Sequence, residues 1–253
     1  MSDKKIIELN NIKRNFQVGT ETVHALKGIS FSIEEGQFVT IMGKSGSGKS
    51  TLLNILGCLD SPSSGNYLLD GSSVQSMNKD QRARIRNQKI GFVFQNYNLL
   101  ANTTAIENVE LPLMYNPEVS TSEREKRAIE ALQRVELGDR LYHKSNQMSG
   151  GQMQRVAIAR ALVNNPAVIL ADEATGNLDT RTSYSILKLL QQLHKEGRTI
   201  IFVTHNNEIT SFSQRNIVLR DGKILSDTYN PTILSAAEAL EKLPKEEDEE
   251  ETL

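Results

Sequence analysis

The feature of the sequence that most restricts the fold is a glycine-rich segment between two apolar ones. Residues 38–42 form a short apolar run with β-branched side chains, which is typical of a buried strand. Gly43, Gly48, Lys49 and Ser50 then fit the pattern G-x-x-x-x-G-K-S/T, in which a loop encloses phosphate groups at the start of a helix. We therefore predict a nucleotide-binding α/β domain; the alternative is an ordinary Gly/Ser loop between two elements.

The residue types of this loop suit phosphate chemistry. Glycines allow backbone N–H groups to approach phosphate oxygens, and the N-terminus of the following helix adds positive potential. Lys49 can pair with the β- and γ-phosphates, and the Ser50 hydroxyl can ligate Mg²⁺. We predict that the nucleotide contacts the whole loop: Gly43, Lys44, Ser45, Gly46, Ser47, Gly48, Lys49, Ser50 and Thr51.

The charge distribution narrows the class of partner. The 253 residues carry a formal net charge of −2, and the segment Lys245–Glu251 holds six acids and one lysine. The rest of the chain has only a small positive excess, which argues against nucleic-acid binding. We expect the acidic tail, residues 244–253, to be disordered and solvated.

Cysteine content and hydropathy predict where the chain works. Cys58 is the only cysteine, so no disulfide can form within the chain. No apolar run approaches the roughly 18 residues that span a bilayer. The N-terminus lacks the apolar region of a signal peptide. We therefore expect a cytoplasmic protein, held by another chain if it acts at a membrane.

Apolar runs along the chain predict the sheet. Residues 167–171 and 200–203 are continuously apolar, as strands buried on both faces of a parallel sheet are, and a helix at about 181–195 connects them. Residues 6–16 and 23–33 predict two further strands, joined by a turn. The fold class is therefore α/β.

The segment 96–147 differs in character and predicts an inserted helical part. Helices are expected at 104–114 and 121–137, and Ser122 with Glu125 fits a capping box at the start of the second. A further helix is expected to begin after Ser149. Helical sequence between strands predicts a subdomain inserted into the sheet domain.

Each predicted strand of the parallel sheet ends in a residue suited to phosphate chemistry. Gln95 follows one strand, Asp172 and Glu173 end another, and His205 follows a third. Ligands of open α/β sheets bind beyond the carboxyl ends of the strands. We therefore expect these side chains to meet the glycine loop at one site; the alternative is a set of ordinary solvated strand ends.

A segment of ten residues carries a resemblance to a protein family. Residues 148–157, Met-Ser-Gly-Gly-Gln-Met-Gln-Arg-Val-Ala, resemble the signature motif of ABC-type ATPases. The resemblance covers about residues 5–228, with the family's motifs in their usual order. Residues 53–60 and 175–179 look most like the subfamily of MacB, LolD and FtsE ATPases. Lys44 and Ala174 stand where that subfamily often has proline.

The resemblance implies a role for each strand-end residue. Asp172 would hold Mg²⁺ opposite Ser50, and Glu173 would polarise the attacking water. Gln95 would sense Mg²⁺ and the γ-phosphate, and His205 would contact the γ-phosphate. Catalytic residues would thus be Glu173, His205 and Gln95, and metal ligands Ser50, Gln95 and Asp172.

Two further predictions concern the ends of the nucleotide. Phe16 resembles the aromatic residue that stacks on adenine, although a core phenylalanine in a strand is the alternative. The signature residues Ser149, Gly150, Gly151 and Gln152 form a second anion cradle at a helix start. In the family this cradle serves the partner's ATP. The resemblance implies a head-to-tail homodimer with two ATP between its subunits and Asp179 near the seam.

The resemblance also predicts the organisation and the partners. We expect one ABC ATPase domain over residues 1–243: a P-loop ATPase core with a mostly parallel sheet, an N-terminal antiparallel β-subdomain and a helical subdomain inserted at about 96–160. ATP and Mg²⁺ would be the ligands. The chain would energise export of antimicrobial compounds, peptides or lipoproteins, or mechanotransmission, from the inner face of the cell membrane. It would act through a separate MacB/FtsX-like permease, to which an adaptor outside the membrane could bind.

Two alternatives stay open from the sequence. The first is an FtsE-like regulatory ATPase that changes the shape of a membrane partner without moving a substrate. The second is an ABC-type ATPase of DNA maintenance, translation or cluster assembly; long coiled-coil insertions and a second ATPase domain, typical of the first two, are not found in this sequence. A GTPase or kinase is disfavoured, because no Asn-Lys-x-Asp motif occurs and the signature would be unexplained.

Overall fold

A computed structural model describes residues 4–116 and 119–244 of the chain. The strands, in chain order, are β1 (Lys5–Val18), β2 (Glu21–Glu34), β3 (Phe38–Met42), β4 (Ser64–Leu69), β5 (Ser72–Ser73), β6 (Ile90–Phe94), β7 (Val168–Asp172), β8 (Thr199–Thr204), β9 (Arg215–Arg220) and β10 (Lys223–Tyr229). The helices are α1 (Lys49–Leu56), α2 (Lys79–Lys89), α3 (Ala105–Met114), α4 (Thr121–Arg134), α5 (Gly150–Leu162), α6 (Thr180–Lys195) and α7 (Ala236–Glu241). The predicted disordered tail, beyond residue 244, lies outside the described residues.

The N-terminal strands form an antiparallel sheet, as predicted. Its strand order is β2-β1-β4-β5, and every neighbouring pair runs antiparallel. The turn between β1 and β2 includes Gly19, whose φ of 60° lies in the left-handed region that glycine adopts without strain. This sheet packs over α1 and one face of the second sheet through a shared apolar core.

The second sheet carries the strand ends that concern function. Its order is β10-β9-β3-β8-β7-β6; β9, β3, β8, β7 and β6 are parallel, and β10 is antiparallel to β9. Successive side chains of β8 face opposite cores: Ile200 and Phe202 contact the helical side, whereas Ile201 and Val203 contact α1 and the first sheet. The mostly parallel α/β fold is therefore confirmed, and burial on both faces explains the continuous apolar runs.

Helices α3, α4 and α5 follow β6 and precede β7, so a helical segment is inserted between two adjacent strands of the sheet. Their buried side chains, such as Val109, Leu132 and Val156, belong to the same apolar cluster as Phe202 of β8. The insertion therefore shares a core with one sheet face. The bounds expected for it, about 96–160, remain a prediction, although α5 extends to Leu162.

Helix α4 begins at residue 121, as expected, but it ends at Arg134 rather than at residue 137, and the predicted capping residue is wrong by two positions. Ser120, not Ser122, is the N-cap residue, and its hydroxyl accepts a hydrogen bond from the Glu123 N–H group at 3.3 Å. Ser120 and Glu123 have the same spacing as Ser122 and Glu125, so the pattern fits both positions. The buried side chains Ala128, Ala131 and Leu132 fix which face of the helix points inward.

Candidate functional site

The glycine loop between β3 and α1 holds its lysine against its own backbone. Lys49 Nζ donates to the carbonyl oxygens of Gly43, at 2.7 Å, and Lys44, at 3.1 Å. The Ser47 N–H group also donates to the Lys44 oxygen, at 3.2 Å. No side chain caps α1, whose N-cap residue is Gly48. The uncapped N–H groups of its first turn and the ammonium group together suit an anion.

Two glycines of the loop are required because the backbone of neighbouring strands packs directly against them. A Cβ atom at Gly43 would lie 2.5 Å from the backbone oxygen of Leu219, and one at Gly48 would lie 2.8 Å from that of Ala25. Gly48 also has a φ of 101°, which only glycine adopts readily. Strands β9 and β2 therefore lie directly against the loop and leave no room for a side chain at either glycine.

The strand ends converge as the sheet prediction requires. In the ladder registers Met42 pairs with Thr204, Val203 with Asp172, and Asp172 with Phe94. The residues that follow these positions therefore meet along one edge of the sheet, beside the glycine loop. The structure brings together Lys49, Asp172, Glu173, His205 and Gln95.

Asp172 lies half-buried beside a second carboxylate. Burial raises the pKa of Asp172, the charge of Glu173 raises this pKa further, and the nearby Lys49 ammonium opposes both effects. A carboxylate destabilised in this way gains from a bound cation. The electrostatics of the pair therefore favour a positive ligand at this end of β7.

The oxygen donors at this edge fit Mg²⁺. Among the described residues there is no cluster of three or more His, Cys, Asp or Glu side chains that could hold a metal ion. Mg²⁺ does not need such a cluster, because it commonly binds one or two carboxylates together with substrate phosphates and water. The hydroxyl of Ser50, the carboxylate of Asp172 and the amide oxygen of Gln95 are all hard oxygen ligands.

Glu173 and His205 form a hydrogen-bonded pair. Nδ1 of His205 lies 2.7 Å from Oε1 of Glu173, so an Nδ1–H group can donate to the carboxylate. Glu173 has a φ of 45°, an unusual conformation for a residue with a side chain, and its N–H group donates to the Val203 oxygen at 2.8 Å. The backbone bond to β8 and the histidine together hold the carboxylate in a single place.

Gln95 contacts the loop that follows β7. Its Nε2 group donates to Asn177 Oδ1 at 3.1 Å. The next residues, Tyr97 and Asn98, are left-handed, and both of their carbonyl oxygens accept hydrogen bonds from Arg160 of α5, at 2.7 and 2.6 Å. The segment after β6 is thus bonded both to the loop that follows β7 and to the helical insertion.

Phe16 lies outside both apolar cores and is half-buried. The Arg14 guanidinium stands 4.5 Å from the centre of its ring, and Arg14 Nε donates to Asp60 Oδ2 at 2.8 Å. The ring is therefore held by a cation on one side rather than by core packing. This placement favours adenine stacking over the core alternative, and stacking remains a prediction.

The signature residues start α5 with a capping box. The Ser149 hydroxyl accepts from the Gln152 N–H group at 3.3 Å, and Gln152 Oε1 accepts from the Ser149 N–H group at 3.0 Å. A Cβ atom at Gly150 would lie 2.8 Å from the Tyr97 hydroxyl, and one at Gly151 would lie 2.5 Å from Thr182 Cγ2. A side chain at either position would have to displace Tyr97 or Thr182, so both glycines ease packing as well as suit a ligand. The sequence predicts a ligand role for Gln152, and the structure adds the capping role.

Asp179 is the N-cap residue of α6. Its carboxylate accepts from the Thr182 N–H group at 2.8 Å, and hydrogen bonds from Thr182 lower the pKa of Asp179. Because Thr182 also contacts Gly151, the start of α6 lies against the signature segment. The structure therefore places the two predicted seam residues, Asp179 and Ser149, on neighbouring helix starts.

The comparison with protein families agrees with this geometry. The sequence model of one protein family, described as ABC transporter, matches residues 26–176, which is more than half of the chain. The chain belongs to the ABC transporter family. Residues 26–176 include the glycine loop, Gln95, the signature and the acidic pair, so the match covers most of the candidate site.

Similar proteins place the chain among the ATP-binding subunits of this family. It is 54% identical to an uncharacterized ABC transporter ATP-binding protein of Thermotoga maritima over 87% of this chain and 94% of that one. It is 50% identical to the macrolide export ATP-binding/permease protein MacB of Hyphomonas neptunium, over 89% of this chain and 35% of that one. The chain is thus an ABC ATP-binding subunit similar to MacB.

A solved structure agrees with the fold and the reaction. An ATP-binding cassette of Methanocaldococcus jannaschii, in a dimeric post-hydrolysis state with ADP and Pi, has a TM-score of 0.80 and 47% identity. The match covers 88% of this chain and 98% of that one. The chain is therefore an ATPase. Within residues 4–116 and 119–244, none of the helices has the length and apolar character needed to cross a membrane.

Three residues of the site could not be found from the sequence alone. Asn177 contacts Gln95 from 82 positions away, Arg160 contacts Tyr97 from 63, and Arg14 contacts Asp60 from 46. None belongs to a local pattern that predicts its partner. Asn177 lies within the segment 175–179 that carries the subfamily resemblance. Its place in that segment is the one feature of the sequence that points to a role for Asn177.

Proposed function

We propose that this ABC ATPase drives an export or mechanotransmitting complex through a membrane permease carried by a separate chain. The observation that carries the proposal is the 50% identity to MacB, a protein named as both ATP-binding and permease. This chain spans only 35% of the length of that protein. The Thermotoga relative is matched over 94% of its length, which supports a cassette that stands apart from its permease. The complex would place the chain on the inner face of the membrane.

Hydrolysis in this proposal uses in-line attack by water on the γ-phosphate, without a covalent intermediate. Glu173 orients and polarises the water, since its carboxylate is the acceptor fixed at the end of β7. His205 holds that carboxylate through Nδ1 and is left with Nε2 to face the γ-phosphate. Lys49 stabilises the negative charge on the phosphates.

Mg²⁺ completes the proposed site. Ser50, Asp172 and Gln95 would hold it, and the ion would supply charge stabilisation for the phosphate oxygens. The raised pKa of Asp172 supports this assignment, because a cation relieves the cost of the buried, ionised carboxylate.

The proposed active unit is a dimer in which each ATP lies between two copies of the chain. The glycine loop of one copy would bind the nucleotide, and Ser149, Gly150, Gly151 and Gln152 of the other would complete the site. The dimeric cassette with ADP and Pi supports this arrangement. Asp179 would lie near the seam between the copies, and Phe16 would stack on the adenine.

A groove beside β6 offers the permease a docking surface. Strand β6 is the last strand of its sheet, and the groove next to it encloses about 820 Å³. Its lining combines apolar side chains with arginines: Phe92, Phe94, Leu111, Pro112, Tyr115, Arg84, Arg86 and Arg160. Arg160 also holds Tyr97 and Asn98, close to Gln95. A segment seated here would therefore touch the residues that communicate with the ATP site.

The test compares two exposed tyrosines in binding to membranes that contain the permease. Tyr115 lines the groove and is 79% exposed, whereas Tyr142 lies elsewhere and is 68% exposed. We expect Tyr115→Glu to lose association with the membranes and Tyr142→Glu to keep it, with ATP binding unchanged in both. Equal association of the two variants would contradict docking at this groove.

Reconstitution separates transport from regulation. We expect substrate to cross vesicle membranes in a fixed ratio to the ATP consumed when the chain and its permease are present together. ATP hydrolysis that responds to the permease without any substrate flux would instead favour the FtsE-like alternative.

A further inference from the structure

Asn177 joins the two loop segments that follow β6 and β7. Its Nδ2 group donates to Asn96 Oδ1 at 2.8 Å and to the backbone oxygen of Gln95 at 3.3 Å. Its Oδ1 accepts from Gln95 Nε2 at 3.1 Å. One short side chain thus makes three hydrogen bonds to the segment that begins at Gln95.

These bonds select one orientation of the Gln95 amide. A backbone oxygen can only accept hydrogen bonds, so the carbonyl group of Gln95 requires the amino group of Asn177 to face it. Oδ1 of Asn177 then remains as an acceptor, and it requires Nε2 rather than Oε1 of Gln95 to face it. The side-chain oxygen of Gln95 is therefore the end turned away from Asn177.

Gly176 allows the two segments to come this close. A Cβ atom at this position would lie 2.7 Å from Gln95 Nε2 and 3.3 Å from the Glu173 oxygen. The left-handed residues Glu173 and Tyr97 lie in the segments on either side. Backbone conformations of this kind persist where neighbouring contacts fix them, as they do here.

We propose that Asn177 is a positioning residue that presents the side-chain oxygen of Gln95 to the Mg²⁺–nucleotide complex. Asn177 acts through Gln95 and does not itself touch the ligand. The inference rests on the role proposed above for Gln95. Because Asn177 is exposed and makes its bonds to a loop, its contribution is expected in ligand binding rather than in stability.

The test is a double-mutant cycle on nucleotide affinity rather than on turnover. The affinity for AMP-PNP, which is not hydrolysed, is measured with Mg²⁺ and with EDTA in the unchanged chain, Gln95→Ala, Asn177→Ala and the double variant. The ratio of the two affinities reports the contribution of Mg²⁺. We expect each single change to lower this ratio about three- to tenfold, as the loss of one or two hydrogen bonds does. The double variant should show no further loss beyond Gln95→Ala.

The outcomes separate this inference from the proposed role of Gln95. If Gln95→Ala keeps the full ratio, both the Gln95 role and the inference fail. If Gln95→Ala lowers the ratio but Asn177→Ala does not, or the two losses multiply in the double variant, the positioning role is overturned and the Gln95 role stands.

Two further variants control for damage to the loop. Asn96→Ala removes one of the three bonds and leaves both contacts between Asn177 and Gln95, so its ratio should stay within about twofold of the unchanged chain. A loss as large as that of Asn177→Ala would overturn the orientation argument. Asn177→Ser puts a small polar side chain in the exposed loop. It replaces Asn177→Ala in the double-mutant cycle if Asn177→Ala does not fold. Affinity in EDTA should be unchanged in every variant.

Discussion

Glu173 and His205 are in contact, and the proposed hydrolysis depends on that contact. Replacing Glu173 with Gln keeps the shape of the side chain but removes its basicity, so ATP should still bind while turnover falls by a factor of about 10²–10⁴. An ATPase assay and an ATP-binding titration on the same protein check both parts. Glu208→Gln, which alters an exposed carboxylate outside the site, should leave both measurements unchanged.

A turnover number for Glu173→Gln close to that of the unchanged chain would show that Glu173 is not the group that activates water. Loss of ATP binding would instead indicate that the carboxylate holds the loop together. The hydrogen bond from the Glu173 N–H group to Val203 is made by the backbone and survives the substitution, so we expect binding to persist.

Phe16 offers a second test at this scale. Because the ring lies outside the core, Phe16→Ala should lower ATP affinity, by about 1–3 kcal/mol for loss of a stacked base, with little change in the melting temperature of the nucleotide-free protein. Phe16→Tyr should be nearly neutral. Affinity for inorganic triphosphate, which has no base to stack, should be the same in all three proteins. A large drop in melting temperature without nucleotide would favour the core alternative.

The sequence predicts the placement of single residues well where they lie at the end of a buried strand. Gln95 and Asp172 come directly after an apolar run, Glu173 and His205 come one residue later, and parallel strands bring such positions to one edge. Asn177 could not be predicted in the same way, since its bonds to Gln95 depend on how two loops approach. Contacts between irregular segments are set by packing, which leaves no periodic pattern in the sequence.

Among the secondary-structure elements, the helices begin within one residue of their expected positions, and the capping residue of α4 is where prediction and structure differ. The box at Ser149 and Gln152 matches the expected start of α5. At α4 two serines two residues apart both precede a glutamate at the required spacing, and Ser120 is the one that caps. A capping pattern predicts that a helix begins nearby, but it does not distinguish two candidates that have the same spacing.

Two substitutions of Asp179, the N-cap residue of α6, distinguish its capping role from a role at the dimer seam. Asp179→Ala removes the cap and should lower the free energy of unfolding by about 1 kcal/mol, whereas Asp179→Asn keeps a good cap residue and should change it little. If Asp179 also acts at the seam through its charge, both variants should weaken ATP-driven dimerisation. Denaturant unfolding and sedimentation in ATP measure the two effects. Normal dimerisation of both variants would show that Asp179 has no role at the seam.

The same helix start gives a pH dependence with a defined sign. The Thr182 hydrogen bonds lower the pKa of Asp179, so ionised Asp179 stabilises the folded state above the ordinary carboxyl pKa. That contribution should be lost as the pH falls through the lowered pKa. The difference in unfolding free energy between the unchanged chain and Asp179→Asn should therefore shift against the unchanged chain in acid. A difference that does not vary with pH would contradict the prediction.

At the scale of the whole molecule, ATP should stabilise the fold through the glycine loop. A ligand at 100 times its dissociation constant adds about 2.7 kcal/mol to the free energy of unfolding, and Lys49→Ala should abolish most of this gain. Lys188→Ala, an exposed lysine on α6, is the matched control. Melting curves with and without ATP report the result. An ATP-induced shift in Lys49→Ala equal to that of the control would contradict the binding role of the loop.

The layered α/β architecture could be predicted from the sequence, because β3, β7 and β8 are short, mostly apolar and each followed by a loop or helix that begins with polar or glycine residues. The shared core between the helical insertion and the sheet could not. Residues such as Val109 and Leu132 show only that α3 and α4 each have an apolar face. Which surface that face covers depends on the path of the chain between β6 and β7.

In the proposed dimer, the signature of one copy completes the ATP site of the other. Two variants test it: Lys49→Ala in one chain and Ser149→Asp in the other. Aspartate preserves the N-cap of α5 but brings negative charge toward the γ-phosphate. In a dimer made of one variant only, both ATP sites carry a lesion. A mixed dimer has one site with both lesions and one site with neither.

The measurement is the ATPase activity of the mixture, with mixed dimers confirmed by different tags on the two chains. Random mixing makes about half of the dimers mixed, so about a quarter of the sites should be restored, by the same logic as a catalytic residue supplied in trans. Retained ATP per mixed dimer, counted with Glu173→Gln added to both chains, checks for recovery that coupling between sites could hide. We expect the mixture to show ATPase activity and ATP retention above those of either variant alone. Confirmed mixed dimers that neither hydrolyse nor retain ATP would contradict it.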